Sequence, residues 1–513
     1  MRAGLHRWWF RQHALTDGSG GCFCVAVCDE GVLVQVAWEN ACASQIERYK
    51  YWRLMIEGRL PSSFRDPSGF VFVHNQTIYR QVNRVCEKDW RQFRDSGLSD
   101  ELVGEKLILS YQVVSPDHAL TSEAVEVIQP ERVSLISYPY EWCFSQLKEA
   151  ALLTLEIMRR SLAKGMCLKD ASAYNVQFHG GAAIHVDTLS FEAYREGEPW
   201  QAYGQFCRHF LAPLALASLV DVRLLRDLRP HLDGLPLDLA AKLLPKNSKW
   251  NFGLLTHLHA HGKATRSGAS GGASKGSIPK TALLGIIDSL EGTIRKLIWD
   301  PGKTTWGDYY DNTNYSDQAF LAKGKLVGEF VDSISPRPTT AWDLGANTGH
   351  FSEILAGRGL SVFAWDSEYE AVERAYAKWR KEGQTALVPL VQDFANPSPA
   401  LGWAHRERES FAERGPVDVV LALALIHHLA IGNNVPLTQF AAWLSQLGTW
   451  AIVEFVAKDD SQVQRMLATR KDVFEGYTRE GFEAAVADFF SVARREEIPG
   501  TSRTLYLLQA RSA

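Results

Sequence analysis

No apolar run among these 513 residues is long enough to cross a bilayer; the longest, Val417 to Ile426, reads as a buried strand. Neither sign of charge is in large excess. Lys and Arg number 55 against 59 Asp and Glu, a net charge of -4, so no global basicity points to nucleic acid. Arg2 and Arg7 are not followed by an apolar h-region, so no secretory signal is expected. Cysteine is sparse, with 8 in the chain, and paired C-x-x-C knuckles are missing. Cys22, Cys24, Cys28 and Cys42 are too irregularly spaced for a zinc site, and the thiols read as reduced, in a cytoplasmic protein. No metal is expected.

The chain is too long for one core, so at least two domains are expected. Residues 1–45 show no clear period and carry no functional assignment, as an N-terminal appendage. Gly262 to Ser277 is almost entirely Gly, Ser and Ala with a few cations, the composition of a flexible linker. It divides an α+β region, 46–261, from a region with alternating strand and helix patterns, 280–513, the linker itself spanning 262–279.

In the second region, Ala341, Trp342 and Leu344 form a short apolar run that leads through Gly345 and Gly349 into a helix starting near Phe351. Glycine allows positive φ and close approach of a ligand to the backbone. Asn347, between the two glycines, tolerates unusual φ better than most residues. Asp343 stands at the strand's C-terminal end, where open α/β sheets bind ligands. Later apolar runs end in Asp366, in Asp393-Phe394 and in His427-His428, and a fifth carries Glu454. Asp366 suits ribose hydroxyls, Asp393 an adenine amine, and Phe394 the face of the ring.

Residues from about 305 to 510 thereby resemble a class I S-adenosylmethionine-dependent methyltransferase. The resemblance implies a Rossmann-like, seven-stranded α/β domain. It assigns Asp343, Gly345 and Gly349 to the first motif, with Asn347 in place of the usual middle glycine. Asp366 matches the ribose-binding acid, Asp393 the adenine-side acid, and Leu423 to Leu425 the fourth-strand segment. The two β-rich runs of Ser491 to Gln509 are similar to the family's C-terminal antiparallel hairpin, which a Rossmann dehydrogenase does not need. The block around Leu425 to Pro436 and Val453 to Lys458 resembles a bacterial group of methyltransferases related to the rhizobial nodulation methyltransferase. That resemblance implies a small-molecule, glycan or lipid-linked acceptor; the charge balance and the lack of long apolar runs lead us to expect no nucleic-acid partner and no membrane insertion.

Removing an acceptor proton needs a base, and His427 or His428 at the end of strand four is suited to it, with His427 favoured if strand alternation continues. Glu454 is the candidate to orient a histidine or the acceptor. Trp306 to Asp317 reads either as an aromatic lid over the site or as a helix-capping loop packed on the domain.

The first region contains Asp170, Asn175 five positions later, and Asp187 at the end of a further strand. This resembles the catalytic loop of protein and lipopolysaccharide kinases, with Asp170 as base and Asn175 and Asp187 as magnesium ligands for ATP. No Gly-x-Gly-x-x-Gly and no Val-Ala-x-Lys strand accompany it, and Arg80 stands near the expected lysine. Phosphoryl transfer depends on those parts, so the kinase-like domain reads as degenerate. The leading expectation is an O-directed methyltransferase. A bifunctional kinase-methyltransferase and a non-enzymatic partner-binding protein are the alternatives.

Overall fold

The computed structural model describes residues 57–266, 277–302 and 316–511, with three short strands nearer the N-terminus. The chain forms two compact units, Met1–Met55 with Arg511–Ala513, and Ile56–Ala510. In the first, Leu15–Thr16, Cys22–Val27 and Leu33–Ala37 pair antiparallel. The side chains of the four early cysteines, and residues 306–315 of the expected lid, lie outside the described residues.

The second unit begins with an antiparallel sheet. Its strands are β1 (Gly58–Arg59), β2 (Gly69–His74), β3 (Thr77–Asn83), β4 (Tyr111–Val114) and β5 (Ala124–Pro130), in the order β1-β2-β3-β5-β4. The strand-like run Gly69 to Val82 is a hairpin. Asn75 and Gln76 both take positive φ, +50° and +61°, and reverse the chain. Between β3 and β4 lie two helices, α1 (Glu87–Asp95) and α2 (Leu98–Gly104), separated at Gly97 with φ +73°. Leu147, Ala151, Leu155 and Met158, at helical spacing, lie on the buried face of α3 (Phe144–Ala163). Four short strands follow, β6 (Met166–Leu168), β7 (Val176–His179), β8 (Ala182–His185) and β9 (Phe191–Ala193). They pair antiparallel as β7 with β8 and β9 with β6.

The expected linker is helical at its start, His261–Arg266, and residues 267–276 lie outside the described residues. The next helix, α4 (Lys280–Lys296), expected to lead the C-terminal domain, packs instead along α3. Arg159 pairs with Asp288 and Glu291 at 2.6 Å, and Lys148 donates to the Arg295 and Leu297 carbonyls.

Helix α5 (Asp317–Asp332) opens the C-terminal part. Five parallel strands follow, β10 (Thr340–Leu344), β11 (Ser361–Asp366), β12 (Leu387–Val391), β13 (Val417–Ala422) and β14 (Gly448–Val456). The antiparallel hairpin β15 (Phe490–Glu497) and β16 (Arg503–Ala510) completes a mixed sheet ordered β12-β11-β10-β13-β14-β16-β15. Parallel strands put all five C-terminal ends on one edge, and the order reverses beside β10, the place where such sheets open a crevice. Strand alternation sends Ala341 and Asp343 to the face covered by α5 and α6 (His350–Ala356), and Trp342 and Leu344 to the other.

One hydrophobic core runs through both halves of this unit, from Val82 and Trp142 to Phe411 and Tyr506. Polar contacts cross the same seam. Gln146 donates to the Pro389 carbonyl at 3.0 Å, and the Tyr376 hydroxyl to Glu149 at 2.5 Å.

Candidate functional site

The turn after β10 takes the conformation its glycines permit. Gly345, Asn347 and Gly349 have φ of +79°, +51° and +84°. At Gly345 the backbone alone demands glycine, since a Cβ there would meet only Leu425, at an ordinary 3.6 Å. At Gly349 packing demands it too, because a Cβ would lie 2.2 Å from the Trp379 ring. The Asn347 N–H donates to Asp366 Oδ2 at 2.7 Å, and the Glu368 N–H to Oδ1 at 2.9 Å, so the end of β11 is tied to the turn. Burial raises the Asp366 pKa against these two donors. Asp393, just past β12, is partly exposed and accepts from the Ala395 N–H. The Phe394 ring packs on Phe411 and Trp443, centroids 5.4 and 5.9 Å away.

Asp343 lies beneath the turn, buried, accepting from Ser352 Oγ at 2.7 Å. Burial pushes its pKa up to about 6, against the Ser352 hydrogen bond and the charge of Lys323.

The fourth strand is shorter than expected. It stops at Ala422; Ala424 adopts a left-handed φ of +52°, and the chain turns into a helical segment that includes His428–Gly432. His427 and His428 therefore follow helical rather than strand geometry, and their rings lie 4.2 Å apart instead of on opposite faces. His427 is the deeper, and its Nδ1 has no hydrogen-bond partner among the described residues. Burial first, then His428 and Arg503, lower its pKa well below the usual imidazole value. Leu423, between strand and helix, is buried in the core on the Asp343 face.

Glu454 lies inside β14 rather than at its tip, and is 0% exposed. Lys323 Nζ is 2.5 Å from one oxygen and Arg503 Nη1 3.1 Å from the other; Arg503 also reaches Asp460 at 2.8 Å. Held by two cations in the core, Glu454 is a counter-ion, and reaching an acceptor would mean breaking both pairs. Lys323, Arg503, Asp460 and Ser352 were not among the expected site residues. Lys323 carried a signal, standing between Ala319 and Val327 on the buried face of α5. Arg503 carried none.

In the N-terminal half, Asn175 and Asp187 meet at Ser190, and Asp170 is hydrogen-bonded to Asn175. The Asn175 amide donates to Ser190 Oγ at 3.2 Å, and that hydroxyl to Asp187 at 2.5 Å. Burial and the charge of Asp187 raise the Asp170 pKa. Burial opposes the charge on Asp187 itself, but Arg80, in direct ion pair with it, and Ser190 hold its pKa below the usual range. Among the described residues, no group of three His, Cys, Asp or Glu is placed to hold a metal ion, and no helix is long and apolar enough to cross a membrane.

No family model matches the chain. Among solved structures it is similar to WbdD, 18% identical with a TM-score of 0.29, over 36% of this chain and 39% of WbdD. It is also similar to the magnesium protoporphyrin IX methyltransferase ChlM from Synechocystis PCC 6803, solved with bound SAH, 17% identical with a TM-score of 0.28, over 39% of this chain and 91% of that one. The chain thus spans about two fifths of WbdD, and likenesses of this size add nothing to what the strand order itself shows. Sequence similarity reaches further. The nodulation protein NoeA of Rhizobium meliloti (strain 1021) is 37% identical over 462 residues, 88% of this chain and 96% of NoeA. At that identity over nearly the whole of both proteins, the chain belongs to the family of the nodulation protein NoeA.

Proposed function

We propose that this protein is an S-adenosylmethionine-dependent methyltransferase acting on an oxygen of a small-molecule or glycan-type acceptor. The observation that carries the reading is the parallel sheet edge, where a positive-φ turn follows the first of three adjacent strands, with Asp343 inside that strand beneath the turn, Asp366 ending the second and Asp393 just past the third. The donor set fits the cofactor. Carboxylates at two neighbouring strand ends can accept hydrogen bonds from hydroxyls and an amine, and the turn offers backbone close by without a side chain at Gly345.

When bound, S-adenosylmethionine supplies an electrophilic methyl group on a sulfonium. The chain must then align donor and acceptor, exclude water and take up one proton. Asp366 and Asp393 fix the nucleoside end. His427, kept neutral by burial, takes the hydroxyl proton of the acceptor, and its partnerless Nδ1 is the atom available for it. The buried Lys323-Glu454-Arg503 cluster acts electrostatically on that ring.

The test is calorimetry with S-adenosylmethionine. The full chain should bind, and Asp366→Ala and Gly345→Val should lose binding. Labelled S-adenosylmethionine incubated with a cell extract should then mark a small-molecule or glycan fraction. No binding by the wild-type chain overturns the reading.

A second reading, a kinase-methyltransferase, draws support from the strand order β1-β2-β3-β5-β4 with helices between β3 and β4, and from the gathered Asp170, Asn175 and Asp187. The Arg80-Asp187 ion pair favours a degenerate kinase-like half instead, since it already neutralises the carboxylate that a magnesium ion would need. Magnesium-dependent ATP turnover, lost in Asp170→Asn, would favour the bifunctional protein.

A further inference from the structure

A cleft of ≈ 640 Å³ opens beside the sheet edge. One wall is the turn Ser367 to Glu370 that follows Asp366, together with Asp393. The facing wall comes from the N-terminal half, from the segment 220–226 and from Trp299. Two arginines fasten this wall to the loops that follow β11 and β12. Arg226 Nη2 donates to the Ser367 carbonyl at 3.1 Å and its guanidinium lies over the Tyr369 ring, 5.6 Å from the centroid. Arg229 Nη2 donates to the Pro397 carbonyl at 2.7 Å. The loops so held carry Glu368 and Asp393. Glu368 is half-buried, and burial with the charges of Asp366 and Glu370 raises its pKa.

The chemistry of the cleft is specific. Glu368, Glu370 and Asp393 can accept hydrogen bonds from hydroxyls and an exocyclic amine, while the Trp299 indole and the Arg226 guanidinium present flat faces suited to a purine. A ligand with a ribose diol at one end and an aminopurine at the other meets both requirements.

We propose that the cofactor site is composite: the nucleoside end of S-adenosylmethionine lies in this cleft, walled by Arg226 and Trp299 of the N-terminal half. The inference rests on the methyltransferase reading above. It gives the N-terminal half a role that needs no phosphoryl transfer: a chain without segment 220–226 has an open nucleoside site.

The test measures binding of S-adenosylhomocysteine and of methylthioadenosine, which lacks the amino-acid end, to the full chain by calorimetry and by ligand-induced rise in Tm. Arg226→Ala and Trp299→Ala should each weaken both ligands roughly tenfold. Their ligand-free Tm should stay near wild type; where one variant melts early, the other carries the test. Wild-type affinity for both ligands in a folded variant overturns the composite site and leaves the methyltransferase reading standing. A wild-type chain that binds neither ligand overturns that reading and the composite site together.

Discussion

Glu141 and Arg414 form a buried ion pair across the seam between the two halves, with Arg414 Nη2 2.6 Å from Glu141 Oε1 and side chains 1% and 2% exposed. A second hydrogen bond at 2.8 Å makes the pair bidentate, and Ser398 also donates to Glu141. Removing one partner leaves the other charged and buried. Glu141→Leu should cost about 3–5 kcal/mol. Because one core spans both halves, calorimetry should still show a single unfolding transition. A separate early transition for either half would contradict the shared core.

The Lys323-Glu454 pair invites a double-mutant test. Lys323→Met alone strands a fully buried Glu454 beside Arg503 and should destabilise by about 3 kcal/mol, and Glu454→Gln alone should do the same or more. Lys323→Met combined with Glu454→Gln should recover part of the loss, read as a coupling free energy from denaturant unfolding. Purely additive losses would mean the pair is not coupled.

His427 sets a pH dependence. Its folded pKa lies well below the ordinary value, so the unfolded chain takes up a proton near pH ~6.5 that the folded chain refuses. Its contribution to stability is full above pH ~6.5 and is lost as pH falls toward the folded pKa. His427→Gln should flatten the decline in urea midpoint between pH 7 and 5. If His427 is the acceptor's base, the wild-type rate should also hold below pH ~6.5, where an ordinary imidazole would already be protonated.

Asp343 behaves in the opposite sense. Its folded pKa of about 6 is above the usual carboxylate value, so the fold binds a proton that the unfolded chain releases, and stability is lost as pH rises from ~4 through about 6. Asp343→Asn should therefore gain stability at pH 7, by up to about 3 kcal/mol. The same variant should lose cofactor affinity, and a gain in both would remove Asp343 from the site.

The turn separates two glycine requirements. Asn347→Gly should be nearly neutral, because φ +51° suits glycine at least as well. Gly349→Ala should cost several times more, since it adds both a strained φ and a clash with Trp379. Equal Tm shifts in the two variants would show that the turn refolds around the substitution.

Much of the sheet was legible in the chain because local patterns determine it. Short apolar runs ending in Asp366, at Asp393 and in Glu454's strand became parallel strands of one sheet, and the late β-rich runs became the edge hairpin, since a buried parallel strand has few alternatives to a short apolar run. Helix α3 buries the residues that its helical spacing places on one face. Reading Val417 to Ile426 as one strand failed because apolarity continues through Ala424, whose left-handed φ no local pattern signals. That turn moved both histidines from strand to helical geometry.

Only the tertiary structure decided which charges meet. Glu454 and Arg503 are distant in sequence and paired by strand register, and Lys323 joins them because α5 lays its buried face across β14. The placing of the 220–226 segment over the β11 and β12 loops also depends on packing across the shared core, which acts between residues far apart in the chain and leaves no period in the sequence. The chain's own pattern determined a sheet with acids along one edge, because burial and turn formation are local preferences. What surrounds that edge was decided by long-range contact, where no residue's neighbours in sequence foretell its neighbours in space.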